Sequence, residues 1–253
     1  MSLNQTKLPL ITTVFLLLGL LVLAGADRGG NAEGGAAVMG VIKFDGPPPE
    51  RKPIPMIARR GGKPDECSEL HDMPQLYENV IVSEKGELAN VFVYMKDGVE
   101  KKDYPVPQEP AVMNQSKCMF RPRVQGVRVG QEFVMRNSDE FLHNVRSYAF
   151  RNRAFNIAQP AKTPDRKKVF TRPERAVKMG CDIHRWMTAY VFAMEHPFFA
   201  VSNEKGQFKI QGLPAGEYTL AAWHEEFGEQ EAKLTVGPTG SSEIDFTFKE
   251  KAK

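Results

Sequence analysis

The sequence predicts an all-β protein with two β-sandwich halves behind an N-terminal export segment. The chain carries 18 prolines and 21 glycines among 253 residues, so it is punctuated too often for long helices. Long amphipathic periods of the helical kind are few. Removing residues 1–26 leaves 227, enough for one large or two small β domains.

The chain opens with a polar start that contains Lys7, followed by an apolar run over residues 8–23. At about sixteen residues this run is shorter than the roughly twenty that span a bilayer. Ala24-Gly25-Ala26 closes it as a small-x-small site, which predicts a signal peptide over 1–26, cleaved before Asp27. The plain alternative is an uncleaved N-terminal anchor, the chain's one route to membrane attachment. No cysteine follows the run, which argues against a lipoprotein. On either account the body of the protein is exported, to a periplasmic or other extracytoplasmic space. Residues 27–37, rich in Gly and Ala, read as a flexible linker.

Residues 38–110 form an N-terminal β segment. Residues 38–44 read as a strand, ended by Asp45-Gly46-Pro47-Pro48-Pro49. Residues 47–64, rich in Pro and Arg, are expected to cross the surface without regular structure. Two further strands are predicted over 77–83 and 88–95, joined by a hairpin loop at Glu84-Lys85-Gly86-Glu87.

The middle of the chain, 111–195, holds the chemistry. Residues 124–129, a turn at 130–132 and residues 133–137 read as strand, turn, strand, delivering residues 137–144 to a loop at the end of a sandwich. Further strands are expected at 168–171, 176–179 and 188–194. The last two flank Gly180-Cys181-Asp182-Ile183-His184-Arg185-Trp186-Met187. His143 comes from the upstream loop. Two imidazoles, a thiolate and a thioether are the ligand set that holds copper in electron-transfer sites. The pattern therefore predicts one mononuclear type 1 (blue) copper site made of His143, Cys181, His184 and Met187. In it Cys181 binds as thiolate, the two histidines as neutral imidazoles and Met187 as soft axial ligand. Zinc is the alternative metal, since it accepts Cys and His, but it has no need of the methionine. The plain alternative is a pair of surface histidines and a buried thiol.

Three cysteines in an exported chain most simply pair two and leave one functional. With Cys181 in the ligand pattern, a Cys67–Cys118 disulfide is predicted. A sharper alternative takes Cys67 and His71, with Asp65, Glu66, Glu69 or Asp72, as half of a second metal site. His71 by itself reads as a surface histidine.

Charge is unevenly spread. The net charge is only +3, but residues 143–187 hold 11 Lys or Arg against 3 Asp or Glu. From His196 onward, 6 basic residues face 9 acidic ones. A basic middle predicts a redox partner protein with an acidic docking surface. Nucleic acid is a poor match for an exported chain without interleaved stacking aromatics.

Residues 118–194 resemble a cupredoxin, and the ligand loop is most similar to that of amicyanin. The residues that carry the likeness are Asn137-x-Asp139 before His143-Asn144-Val145, then Cys181-x2-His184-x2-Met187. The resemblance implies a Greek-key β-sandwich and one-electron transfer between Cu(II) and Cu(I). It gives Asn144 the role of tying the two ligand loops by hydrogen bonds, and makes the edge of His184 the point of electron entry. Arg185 and Trp186 then belong to the partner-docking face, with a core position as the other reading of Trp186. The chain departs from amicyanin at Arg185-Trp186, where a Pro-aromatic pair is usual, and at Val177 and Met179, where aromatics often precede the cysteine.

Residues 196–253 carry a different pattern. The turn signal Asn203-Glu204-Lys205-Gly206, a strand over 207–210, the turn 211–216 and a strand over 217–223 resemble the carboxypeptidase regulatory-like (transthyretin-like) β-sandwich. The resemblance implies a second, smaller sandwich whose early strands are residues 38–44 and 88–95, with the cupredoxin-like region inserted between its halves. His196 and His224, with Glu195 or Glu225, are candidates for a second metal site, or else pack at the domain junction.

No nucleophile–base pair and no open-site zinc motif is present, so the reading is an electron carrier and not an enzyme. Its rivals are an extracellular binding or structural module with a structural metal, and a copper-handling protein with an open coordination site.

Overall fold

A computed structural model describes residues 35–56 and 66–250. The predicted signal peptide, most of the linker and Asp65 lie outside the described residues. Among the described residues no helix is long and apolar enough to cross a membrane.

The chain is all-β. Its strands are β1 (Ala36–Asp45), β2 (Phe92–Asp97), β3 (Ala111–Ser116), β4 (Met119–Arg121), β5 (Val124–Arg128), β6 (Glu132–Asn137), β7 (His143–Ser147), β8 (Asn156–Gln159) and β9 (Arg166–Val169). They continue with β10 (Glu174–Gly180), β11 (Thr188–Met194), β12 (Phe199–Val201), β13 (Gln207–Leu213), β14 (Gly216–His224), β15 (Gly228–Val236), β16 (Ser241–Glu243) and β17 (Phe246–Lys249). Among the described residues one 3-10 turn, Glu66–Leu70, carries Cys67.

The strands form two sandwiches. The first stacks the sheet β13-β1-β16, which β17 extends along β1, on the sheet β12-β2-β14-β15. Val38, Ile42, Val93, Met95, Ile210 and Leu220 are among its core residues. The second stacks β5-β11-β10-β7-β8 on β4-β3-β6-β9. Met113, Phe133, Met135, Val145, Val177 and Val191 are in its core. The central sandwich thus sits, in sequence, between β2 and β12 of the first.

Two strands join the halves, and their sequences show why. In β2, Val93 and Met95 enter the core of the first sandwich, while Phe92 and Tyr94 face away from it. In β11, Ala189, Val191 and Ala193 enter the central core, while Tyr190, Phe192 and Met194 face outward. The two outward rows pack together, with Phe92 and Phe192 stacked at 3.9 Å between ring centroids. Both strands are apolar on both faces, as strands buried on both sides must be. Gly126 makes room at this junction, since a Cβ there would lie 2.2 Å from the Phe199 ring. At its edge, Arg123 forms a two-pronged pair with Glu225, 2.8 Å at the second contact.

Several expectations need correction. Residues 77–83 form no strand. Their alternation packs Val80 and Val82 against the core, but the backbone makes only isolated bridges, Pro53↔Leu76 and Val82↔Leu88. The stretch pairs only locally, with Ser83 N–H on Glu87 O at 2.8 Å and Ala89 N–H on Ile81 O at 3.0 Å, while the Arg51 guanidinium takes the Tyr77 carbonyl. The strand expected over 88–95 begins later, at Phe92, and the linker expected to reach residue 37 gives way to β1 at Ala36. Strands β5 and β6 are adjacent in sequence yet lie in different sheets. The turn between them crosses the sandwich, with Gly130 at φ 87°.

Candidate metal centre

Strand pairing brings the two halves of the predicted constellation together. Gly180, last in β10, pairs with Arg146 of β7, so the chain ends that carry Cys181 and His143 emerge side by side. The loop from Cys181 to Met187 closes tightly: Cys181 N–H donates to Met187 O at 3.3 Å and Met187 N–H to His184 O at 2.9 Å. Met187 is fully buried. One ligand atom each from His143, Cys181 and His184 lie within 4.8 Å of one another, and all three residues are buried.

The imidazoles are aimed. His143 Nδ1 and His184 Nδ1 are 2.9 Å apart, while His143 Nε2 bonds the Asp139 carboxylate at 2.9 Å. With Nε2 carrying the proton given to Asp139, Nδ1 keeps its lone pair and points at the centre. The donor set, soft thiolate and thioether with two imidazoles, is the one that suits copper.

Electrostatics favour the Cys181 thiolate, whereas His143 is biased toward its charged form and must give up that proton to bind a metal. Burial pushes the Cys181 thiol up, but hydrogen bonds from His143, His184 and the loop backbone outweigh this and bring it down to about 5. His184 N–H, 3.4 Å from Sγ, is one of these donors. Burial likewise disfavours the His143 imidazolium, yet the Asp139 carboxylate and the Cys181 sulfur hold its pKa above the ordinary value. Asp139 is depressed: burial opposes ionisation, and His143 with the N–H groups of Cys118 and Lys117 overcomes it.

Asn144 stands between the loops. Its Oδ1 accepts from Asp182 N–H at 2.8 Å and lies 3.3 Å from Cys181 Sγ, and its Nδ2 reaches Asn156 Oδ1 at 2.7 Å. Cys67 and Cys118 form a disulfide, with 5.7 Å between Cα atoms. The alternative of a metal on Cys67 and His71 is therefore closed at the sulfur, and His71 Nε2 instead bonds Lys117 O at 3.0 Å. The disulfide is close to the site, since Cys67, Cys118 and His184 offer sulfur and nitrogen atoms within 4.8 Å. Trp186 is half-buried, with its indole N–H on Cys118 O at 3.0 Å and its ring 5.2 Å from that of His184. Arg185 is exposed.

His196 and His224 join no cluster of candidate ligands among the described residues. His196 bonds Met95 O through Nε2, and His224 stacks on Phe227 at 4.6 Å. Both are placed by hydrogen bonds and ring contacts in the first sandwich. Sequence reasoning missed Asp139 as the support of His143, although its spacing four residues ahead of the histidine was visible.

Comparison with known proteins adds one family. Residues 189–249 match the family model of the carboxypeptidase regulatory-like domain. This covers β12–β17 and the outgoing strand of the ligand loop. No curated protein matches the chain. Among solved structures, the Cu-containing nitrite reductase of Thermus scotoductus SA-01 is 18% identical over 40% of this chain, with a TM-score of 0.33. The chain spans 26% of that protein's length. A purple cupredoxin from Nitrosopumilus maritimus is 19% identical, covering 33% of this chain and 99% of its own, with a TM-score of 0.29. An oxidized point variant of amicyanin is 18% identical, covering 40% of this chain and 98% of its own, with a TM-score of 0.31. Likenesses this slight leave the site's own geometry to decide.

Proposed function

We propose that this protein is an exported electron carrier with one mononuclear copper ion held by His143, Cys181, His184 and Met187. The convergence of His143, Cys181 and His184 ligand atoms within 4.8 Å supports this reading most. When bound, copper supplies a one-electron couple between Cu(II) and Cu(I). The residues supply the rest. Cys181 enters as a thiolate that its surroundings already favour. His143 is fixed in ring orientation and tautomer by Asp139. Met187 closes the loop from a dry position and offers its thioether. Asn144 and the disulfide hold the loops at one spacing, so little rearranges when charge changes. The basic stretch over 143–187 favours a partner protein with an acidic face.

The test is copper binding by the purified protein and its Cys181→Ser variant. The wild type is expected to take one Cu(II) per chain, with an intense thiolate-to-copper colour that the variant lacks while keeping its fold. Equal colour in the variant would remove Cys181 from the site.

A further inference from the structure

A cavity of about 330 Å3 opens beside the ligand loop, and its chemistry is distinctive. Its floor is the Gly180-Cys181 segment, and its walls include Arg146, Tyr148, Lys178 and Arg185. Three cations face one anion there, Asp182, which is engaged by Arg146 at 2.9 Å and Asn156 at 2.8 Å. Lys178 and Arg185 are exposed. The Tyr148 ring roofs the backbone just before Cys181, because a Cβ on Gly180 would lie 3.3 Å from it. Arg146 sits 5.6 Å over the same ring, and Tyr148 keeps 53% of its surface exposed.

This arrangement follows from the sheet. Gly180 pairs with Arg146, and Tyr148 N–H donates to Lys178 O, so β7 and β10 line up Arg146, Tyr148 and Lys178. Arg185 is added by the ligand loop. The result is a cationic recess with an aromatic wall, set directly against the residue that carries the thiolate.

We propose that this recess is the docking site for carboxylate side chains on the surface of a redox partner protein. The recess holds a net charge of about +2 from its side chains, within a segment in which basic residues outnumber acidic ones 11 to 3. Such a field attracts an acidic surface and orients it on approach. Docking here places the partner on the Cys181 side of the site. The redox meaning of this surface rests on the copper reading, whereas the binding itself does not.

The test uses the metal-free protein, so a failed copper site would leave it readable. Backbone amide resonances are followed while a hexaglutamate peptide is added, with a hexalysine peptide and inorganic phosphate as comparisons. The expected result is a set of shifts centred on Arg146, Tyr148, Lys178, Gly180 and Arg185 with hexaglutamate alone. In a Lys178→Glu, Arg185→Glu double variant, binding should weaken about tenfold while the other amides keep their positions. Shifts centred on Ile183 and Leu142, no shifts at all, or unchanged affinity in the double variant would overturn the proposal. Equal binding of phosphate would also overturn it, by making the recess a small-anion site.

Discussion

At the residue scale, the centre works through who holds each proton. Asp139 collects three hydrogen bonds, from Lys117 N–H at 2.6 Å, Cys118 N–H at 2.7 Å and the His143 ring. These keep it ionised, and its charge in turn holds His143 with Nδ1 toward the site. Asp139→Asn keeps the shape but removes the charge. Changes of this kind beside a ligating histidine cost about 10–100-fold in metal affinity, so that loss is expected in a competition titration against a chelator of known strength. Unchanged affinity would show that His143 is oriented by packing alone. The candidate ligand types and their spacing stand plainly in the sequence, because Cys181, His184 and Met187 lie within seven residues. The role of Asp139 does not, because it depends on the fold bringing the Lys117-Cys118 peptide against it.

At the element scale, the site is a joint between strand ends and is braced from behind by a covalent tie. Lys117 and Cys118 both take positive φ, 52° and 54°, in the turn from β3 to β4. That turn presents Cys118 O to Trp186, Cys118 N to Asp139 and its sulfur to Cys67. The Cys67–Cys118 bond, across a sequence separation of 51, stabilises by roughly 4 kcal/mol through loop closure. Denaturant unfolding of a Cys67→Ala, Cys118→Ala double variant should show a loss of that order. A loss below about 1 kcal/mol would mean that residual structure in the unfolded chain already restrains the loop. The pairing was inferred from cysteine count and export. Strand positions were read with mixed success for a physical reason. Turn signals on either side gave the places of β13 and β14, but residues 77–83 make only an isolated bridge and local backbone bonds to residues 87–89 and form no strand. Strand β15 passed unrecognised because its alternating Glu229, Glu231 and Lys233 face solvent along a sheet edge.

At the scale of the whole molecule, the two sandwiches are fused through apolar rows and a buried ion pair, and the first sandwich has an acid weakness in its own core. His224 ends β14, is 1% exposed and stacks on Phe227. Burial and the nearby Arg123 guanidinium push its pKa from 6.5 down to about 4. The fold therefore favours neutral His224. Its contribution is complete above pH 6.5 and is lost as pH falls toward 4. A shift of this size corresponds to about 3 kcal/mol. His224→Phe fills similar space without a titrating group, so its stability should fall less between about pH 7 and pH 4 than that of the wild type. Parallel pH curves for the two proteins would show that His224 does not titrate with unfolding. The all-β class was legible from punctuation, whereas the two-sandwich arrangement was implied by the resemblance of two stretches to known β-sandwich families. The double-faced burial of β2 and β11 was visible only as continuous apolar runs, which a sequence cannot assign to a partner.

The central claim is that four side chains hold one copper ion as an electron-transfer site. The most direct measurement is the visible absorption and electron paramagnetic resonance spectrum of the Cu(II)-loaded protein. The predicted result is an intense thiolate-to-copper band with a small parallel hyperfine splitting, from a single site. A colourless complex, or the wide splitting of ordinary tetragonal copper, would contradict it.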